Sequence, residues 1–156
     1  MKQHGFTLLE TVIVLAIMTM FFAISVPLFS KFTEKAKLDT TARSIVSTLR
    51  LARTYAITNN ALYYVFFVTI NDEPSYYISS SDEAAPTTPA NVIDKIYKLP
   101  PGFSFDTVNF DSDRAVYRAT GELFENAGET SVIIEDADGN QKTISVEKTT
   151  GRARIE

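Results

Sequence analysis

The hydrophobic pattern changes character twice along the chain. The first regime is a continuous apolar run from Phe6 to Val26, 21 residues in which Glu10 is the sole charge. At about 1.5 Å per helical residue the run is roughly 31 Å long, enough to cross a bilayer once. Pro27 follows it and removes the backbone hydrogen bond to the carbonyl of Ala23, so a kink or a locally unwound stretch is expected there. In the second regime apolar residues recur at spacings of three and four: Leu38, Ala42, Ile45, Leu49, Ala52 and Ala56. That is one face of an amphipathic helix, with Lys31, Glu34, Lys35, Asp39, Arg43 and Arg50 mostly off the stripe. Asparagine favours helix ends, so "TNN" (58–60) predicts the stop. The two halves together predict a stem of about 53 residues, far too long for a lone globular helix.

After residue 60 the period falls to that of strands. "LYYVFFVTI" (62–70) is dense in β-branched and aromatic residues and reads as a strand buried on both faces. "YYISS" follows an Asn-Asp-Glu-Pro turn, which predicts a hairpin, and "SSSDEAAPTTPAN" (79–91) reads as a polar loop. "VIDKIYKLP" and "FSF" are weaker strand candidates. Near the end "SVIIED" and "KTISVEK" flank "ADGNQ", whose Asp138-Gly139 step is a hairpin signal. On the second arm Ile144 and Val146 are expected to face the core, with Ser145 and Glu147 on the other side. The fold class expected is α+β: a long N-terminal helix packed on a mainly antiparallel sheet, with no internal repeat.

Composition narrows the chemistry. With no cysteine there is neither a disulfide framework nor a thiolate metal site. The one histidine, His4, lies in the polar leader "MKQHG", so loss of the leader would leave no histidine for a Ser-His-Asp triad or an imidazole metal site. Charge is split: residues 6–60 carry six basic and three acidic side chains, and residues 61–156 carry eight basic and sixteen acidic ones. A basic stem and an acidic head result.

The N-terminus is arranged unlike an ordinary signal peptide, whose small-residue cleavage site follows the apolar stretch. Here the candidate cleavage point, Gly5-Phe6, precedes it, so the cut would leave the membrane helix on the mature chain; Lys2 favours a cytoplasmic N-terminus. "GFTLLETVIVLAIM" resembles the N-terminal signature of type IV prepilins and type II secretion pseudopilins. The resemblance implies that a prepilin peptidase cuts after Gly5 and methylates Phe6, that Glu10 is the family's acid at the fifth mature position, and that Pro27 is its helix-breaking proline. Glu10 is then an assembly residue. A lone carboxylate in a membrane helix costs about 2.5–3.5 kcal/mol, and the new amine of Phe6 on a neighbour, with an ordinary pKa of about 7.7–8, could pair with it.

At the other end, "GELFENAGETSVIIEDADGNQKTISVEKTTGRARI" is similar to the head of the H-type minor pseudopilins, the GspH/FimT family. Its "GR-x-R" ending resembles the motif that some FimT-type competence pilins use to hold DNA, which points to Arg152 and Arg154. On a strand these two share one face, with Lys142 or Lys148 as neighbours, and either DNA phosphates or acids of the same head could be their partners. The head's acid excess opposes the first. Three further patterns carry less. Lys31, Lys35 and Lys37 suit anionic lipid headgroups or a solvated helix face. Asp136, Asp138 and Asn140 resemble half a calcium loop, but no glutamate stands where a bidentate ligand is needed, and a hairpin turn is expected. "SVEK" (145–148) fits Ser-x-x-Lys, yet on a strand that offset sends the pair to opposite faces.

The expected organisation is a leader peptide (1–5), a transmembrane and assembly helix (6–27), an amphipathic stem (28–60) and a β-rich head (61–156). The resemblance implies a non-enzymatic minor pseudopilin of a type II secretion pseudopilus, needing no cofactor or metal. Its partners would be the prepilin peptidase, other pseudopilins or pilins in a helical filament, and the bacterial inner membrane, with the head periplasmic. The alternative is a FimT-like minor pilin at a type IV pilus tip, binding DNA in natural transformation.

Overall fold

The computed structural model describes residues 7–82, 91–124 and 128–156, with 24–32 described as backbone alone. The leader, Phe6 and the middle of the 79–91 loop therefore lie outside the described residues. The chain divides into two compact units, Met1–Ala36 and Lys37–Glu156.

The helix α1 runs Leu8–Asn59, 52 residues, close to the length expected from the hydrophobic pattern. The helix continues through Pro27, so of the kink or unwound stretch expected there the unwound stretch is not found; a proline forfeits one backbone hydrogen bond without ending the helix. The end of the helix has a clear cause. Asn60 takes a positive φ of 49°, and the Ala61 N–H donates to the carbonyl of Ala56 at 3.2 Å. That six-to-one bond around a left-handed asparagine is a Schellman cap.

In the first unit every described side chain from Thr7 to Ala23 is exposed. Leu8, Leu9, Phe21 and Phe22 each expose about two thirds or more of their surface. An apolar face of this extent marks an interaction surface. Among the described residues no helix is long and apolar enough to cross a membrane. The expected span includes Phe6 and 24–26, whose side chains are not among those described.

The second unit holds the core. Leu38, Ala42, Ile45, Leu49, Ala52 and Ala56, the stripe expected from the sequence, are all buried. The head contains two four-stranded antiparallel sheets where one was expected. The first has the order β3-β2-β1-β5, from β1 (Tyr63–Ile70), β2 (Glu73–Ser79), β3 (Val92–Lys98) and β5 (Arg114–Tyr117). The second has the order β4-β6-β7-β8, from β4 (Ser104–Val108), β6 (Ser131–Glu135), β7 (Gln141–Val146) and β8 (Ala153–Ile155). Turn chemistry drives both hairpins. Asn71 and Asp72 both adopt positive φ, 51° and 63°, which is the tight turn that matches strand twist, and Ile70 then pairs with Glu73. Gly139, at φ 80°, serves the β6–β7 turn.

One core cluster joins the helix stripe to both sheets through Val65, Phe67, Tyr76, Val132, Ile134, Ile144 and Val146. Val65, Phe66 and Phe67 are buried in succession, as a strand covered on both faces requires. Phe66 belongs to a smaller cluster on the other face with Ile70 and Tyr77. Tyr76 ties sheet to helix, its hydroxyl donating to Ser44 Oγ at 2.8 Å.

Candidate functional site

Two places carry the residues singled out by the sequence. The first is the start of α1. Thr7 caps it: the Glu10 N–H donates to Thr7 Oγ1 at 3.3 Å and to the Thr7 carbonyl at 3.1 Å. Threonine followed three residues later by glutamate is the spacing of a capping box, a signal the sequence reading passed over. Glu10 therefore sits in the first helical turn, where unsatisfied N–H groups present partial positive charge and favour a carboxylate. It is exposed, with Leu9, Ile13 and Val14 exposed around it. Gly5 and Phe6 lie outside the described residues, and Pro27 is described only as helical backbone.

The second place is a cleft of about 600 Å³ lined by Arg50, Arg53, Glu147, Gly151, Arg152, Ala153 and Arg154. Two tight turns build it. The Gly121 N–H donates to the Arg118 carbonyl at 2.8 Å and the Gly151 N–H to the Glu147 carbonyl at 2.7 Å. Both glycines have positive φ, and a β-carbon on Gly151 would stand 2.0 Å from the Gly121 oxygen. Glycine at 151 is required by contact with a backbone atom.

Arg50 donates to the Ala153 carbonyl at 3.2 Å, and Arg53 to that of Gly121 at 3.1 Å. The helix thus places two guanidiniums beside the two at the C-terminus, which the sequence did not foretell. Their spacing of three, interleaved with the buried Leu49, Ala52 and Ala56, was the available signal. Arg154 lies opposite Ser145 in the ladder, donates to its Oγ at 3.2 Å and reaches Glu156 at 3.2 Å. Arg152 is exposed and its side chain has no ion pair or hydrogen bond among the described residues. Lys142 is engaged elsewhere, at 3.1 Å from Asp39 on the helix. That ammonium, by hydrogen bond and charge, holds the Asp39 carboxyl below the usual range.

The half calcium loop is occupied by the protein's own donors. Asp136 Oδ1 accepts the N–H groups of Asp138 at 3.0 Å and Asn140 at 2.8 Å, and Asn140 Nδ2 donates to both oxygens. Burial pushes this carboxyl up, but those hydrogen bonds outweigh it and hold it below its ordinary value. Among the described residues no three His, Asp or Glu side chains converge as a metal site would need. Ser145 Oγ donates to Glu156 Oε1 at 2.8 Å.

Comparison with known proteins decides the kinship. Residues 1–26 match the prokaryotic N-terminal methylation motif, and residues 41–150 match the family described as type II transport protein GspH. The chain belongs to the GspH family. No curated protein matches it. The type IV minor pilin FimU of Pseudomonas aeruginosa is similar with a TM-score of 0.56 and 18% identity, over 80% of this chain and 92% of that one. The minor pseudopilin EpsH from the type 2 secretion system of Vibrio cholerae is similar with a TM-score of 0.56 and 14% identity, over 77% of this chain and 96% of that one. At these identities the likeness is one of fold: a helix on a two-sheet antiparallel head.

Proposed function

We propose that this GspH-family chain works as a minor pseudopilin, a structural subunit entering the helical filament of a type II secretion pseudopilus through its N-terminal helix. The observation that carries the reading is the joining, on one chain, of a methylation motif at 1–26 and a GspH match at 41–150. The exposed apolar helix surface supports it, because such a surface needs lipid or other helices around it. The prepilin peptidase cuts after Gly5 and methylates Phe6. Until assembly the helix sits in the inner membrane, with the head periplasmic. Glu10 pairs with the amine of Phe6 on a neighbour, while its place in the first helical turn already offsets part of the cost of holding a charge in apolar surroundings. Pro27 belongs to the same assembly helix.

The test is two substitutions read separately. Replacing Gly5 by a bulky residue should leave the leader attached, and intact-mass measurement showing a methylated Phe6 in that variant would refute the processing step. Glu10→Leu should insert into membranes at least as well as the native chain but be depleted from filaments. Normal incorporation of this subunit would remove the pairing role.

A second reading, a minor pilin at a type IV pilus tip, is supported by the likeness to FimU and shares the same stem chemistry. In it Arg152 and Arg154 would hold DNA phosphates. The acid excess of residues 61–156 weighs against that, as does the contact of Arg154 with Glu156.

A further inference from the structure

The arginine cleft has a charge imbalance that folding does not explain. Four arginines face it and one glutamate. Carbonyl partners hold Arg50 and Arg53, which uses one of five N–H donors on each and sets no negative charge against either. Arg154 is offset by Glu156, and Arg152 has no side-chain partner among the described residues. The rim is apolar. One turn beyond Arg53 on the helix, Ile57 is 45% exposed, and a β-carbon at Gly121 would meet its Cδ1 at 2.8 Å. Three residues after Gly121, Phe124 is 48% exposed, with the Arg118 guanidinium 4.1 Å from its ring centre.

Guanidiniums and an aromatic ring beside an exposed aliphatic side chain are the groups that carry binding energy in protein interfaces. We propose that this cleft docks an acidic head segment of a neighbouring filament subunit, its carboxylates on the arginines and its apolar side chains on Ile57 and Phe124. The inference rests on the filament reading above. Charge decides for a protein partner over a nucleic acid. A polyanion arriving from solution meets a head with sixteen acids against eight bases and is repelled before it reaches the cleft. A neighbouring head is delivered by its own stem at high effective concentration and needs no long-range attraction. Within the cleft the screening length of about 8 Å at physiological salt leaves the arginines dominant, and planar guanidiniums hold carboxylates through two hydrogen bonds at once. This head, itself rich in acids, shows what a pilin-type surface offers to such a site.

The test uses the full-length chain in cells assembling their filament, with a photoreactive benzoylphenylalanine at Ile57 and, in a second strain, at Val14 in the stem. The expected result is an Ile57 adduct with another pilin-type subunit, mapping to a segment with aspartate or glutamate. Arg152→Glu should lower its yield at least about fivefold, Arg152→Lys should largely preserve it, and both should leave the Val14 adduct unchanged. Arg152 is the residue to reverse because its side chain supports no contact of the fold. If Val14 cross-links to subunits while Ile57 gives none, gives an adduct insensitive to Arg152→Glu, or gives one removed by nuclease, the docking proposal is overturned and the filament reading stands. If Val14 gives no subunit adduct in the otherwise native chain, the filament reading falls and the proposal with it.

Discussion

Gly151→Ala is the most decisive perturbation of the head. A β-carbon at 151 would lie 2.0 Å from the Gly121 carbonyl oxygen, 3.1 Å from the Tyr117 ring and 3.2 Å from Arg53 Cδ. The first contact is with backbone, so no side chain can swing away to relieve it. The φ of 63° at Gly151 adds a penalty of about 1 kcal/mol for any residue with a β-carbon. Overpacking of this kind costs about 1–3 kcal/mol where neighbours can shift. The Gly121 turn is itself constrained, because its carbonyl holds Arg53 at 3.1 Å. The expected loss is about 3 kcal/mol, which at about 4–8 °C per kcal/mol for a head of this size lowers the melting temperature by about 12–24 °C. Calorimetry or far-ultraviolet circular dichroism of the head would measure it. Gly128→Ala is the matched control, since nothing lies within 4 Å of its added carbon, and it should be close to neutral. Equal melting temperatures for native, Gly151→Ala and Gly128→Ala proteins would refute the close approach of the two turns.

Three further outcomes come from the core and the turn chemistry. Leu49→Ala removes a fully buried side chain facing the sheets, with an expected cost of about 2–5 kcal/mol by denaturant titration. Asp136→Ala removes the acceptor of four hydrogen bonds in the β6–β7 turn and should cost about 1–3 kcal/mol. The Asp136 and Asp39 carboxyls are both held below their ordinary value of 3.8, so their contribution is fully present above that pH and lost as pH falls through their lower folded values. Acid titration of Asp136→Asn should therefore show a shallower loss of stability below pH 3.8 than the native head, and an identical profile would refute this role.

Much of the architecture was legible because it depends on short-range regularities. The stripe from Leu38 to Ala56 needs a helical period and nothing else, and every member is buried. The hairpin turns at Asn71-Asp72 and Asp138-Gly139 follow from residues that tolerate positive φ. The alternation of Ile144 and Val146 against Ser145 and Glu147 is that of a strand with one face in the core. The N-terminal motif was readable for another reason: a charge and a glycine at set positions beside an apolar run stand out in any chain. Other features depended on contacts between distant residues. Strand β5 (Arg114–Tyr117) is four residues with no periodic signal, and its partner β1 recruits it from some fifty positions away. The division into two sheets depends on pairing choices such as β4 beside β6, which no local pattern specifies. The arginine cleft is the clearest case. Arg152 and Arg154 could be named from the sequence. Their grouping with Arg50 and Arg53 came only when two glycine turns closed and the last strand was laid against the helix, because charge proximity is a property of the packed chain.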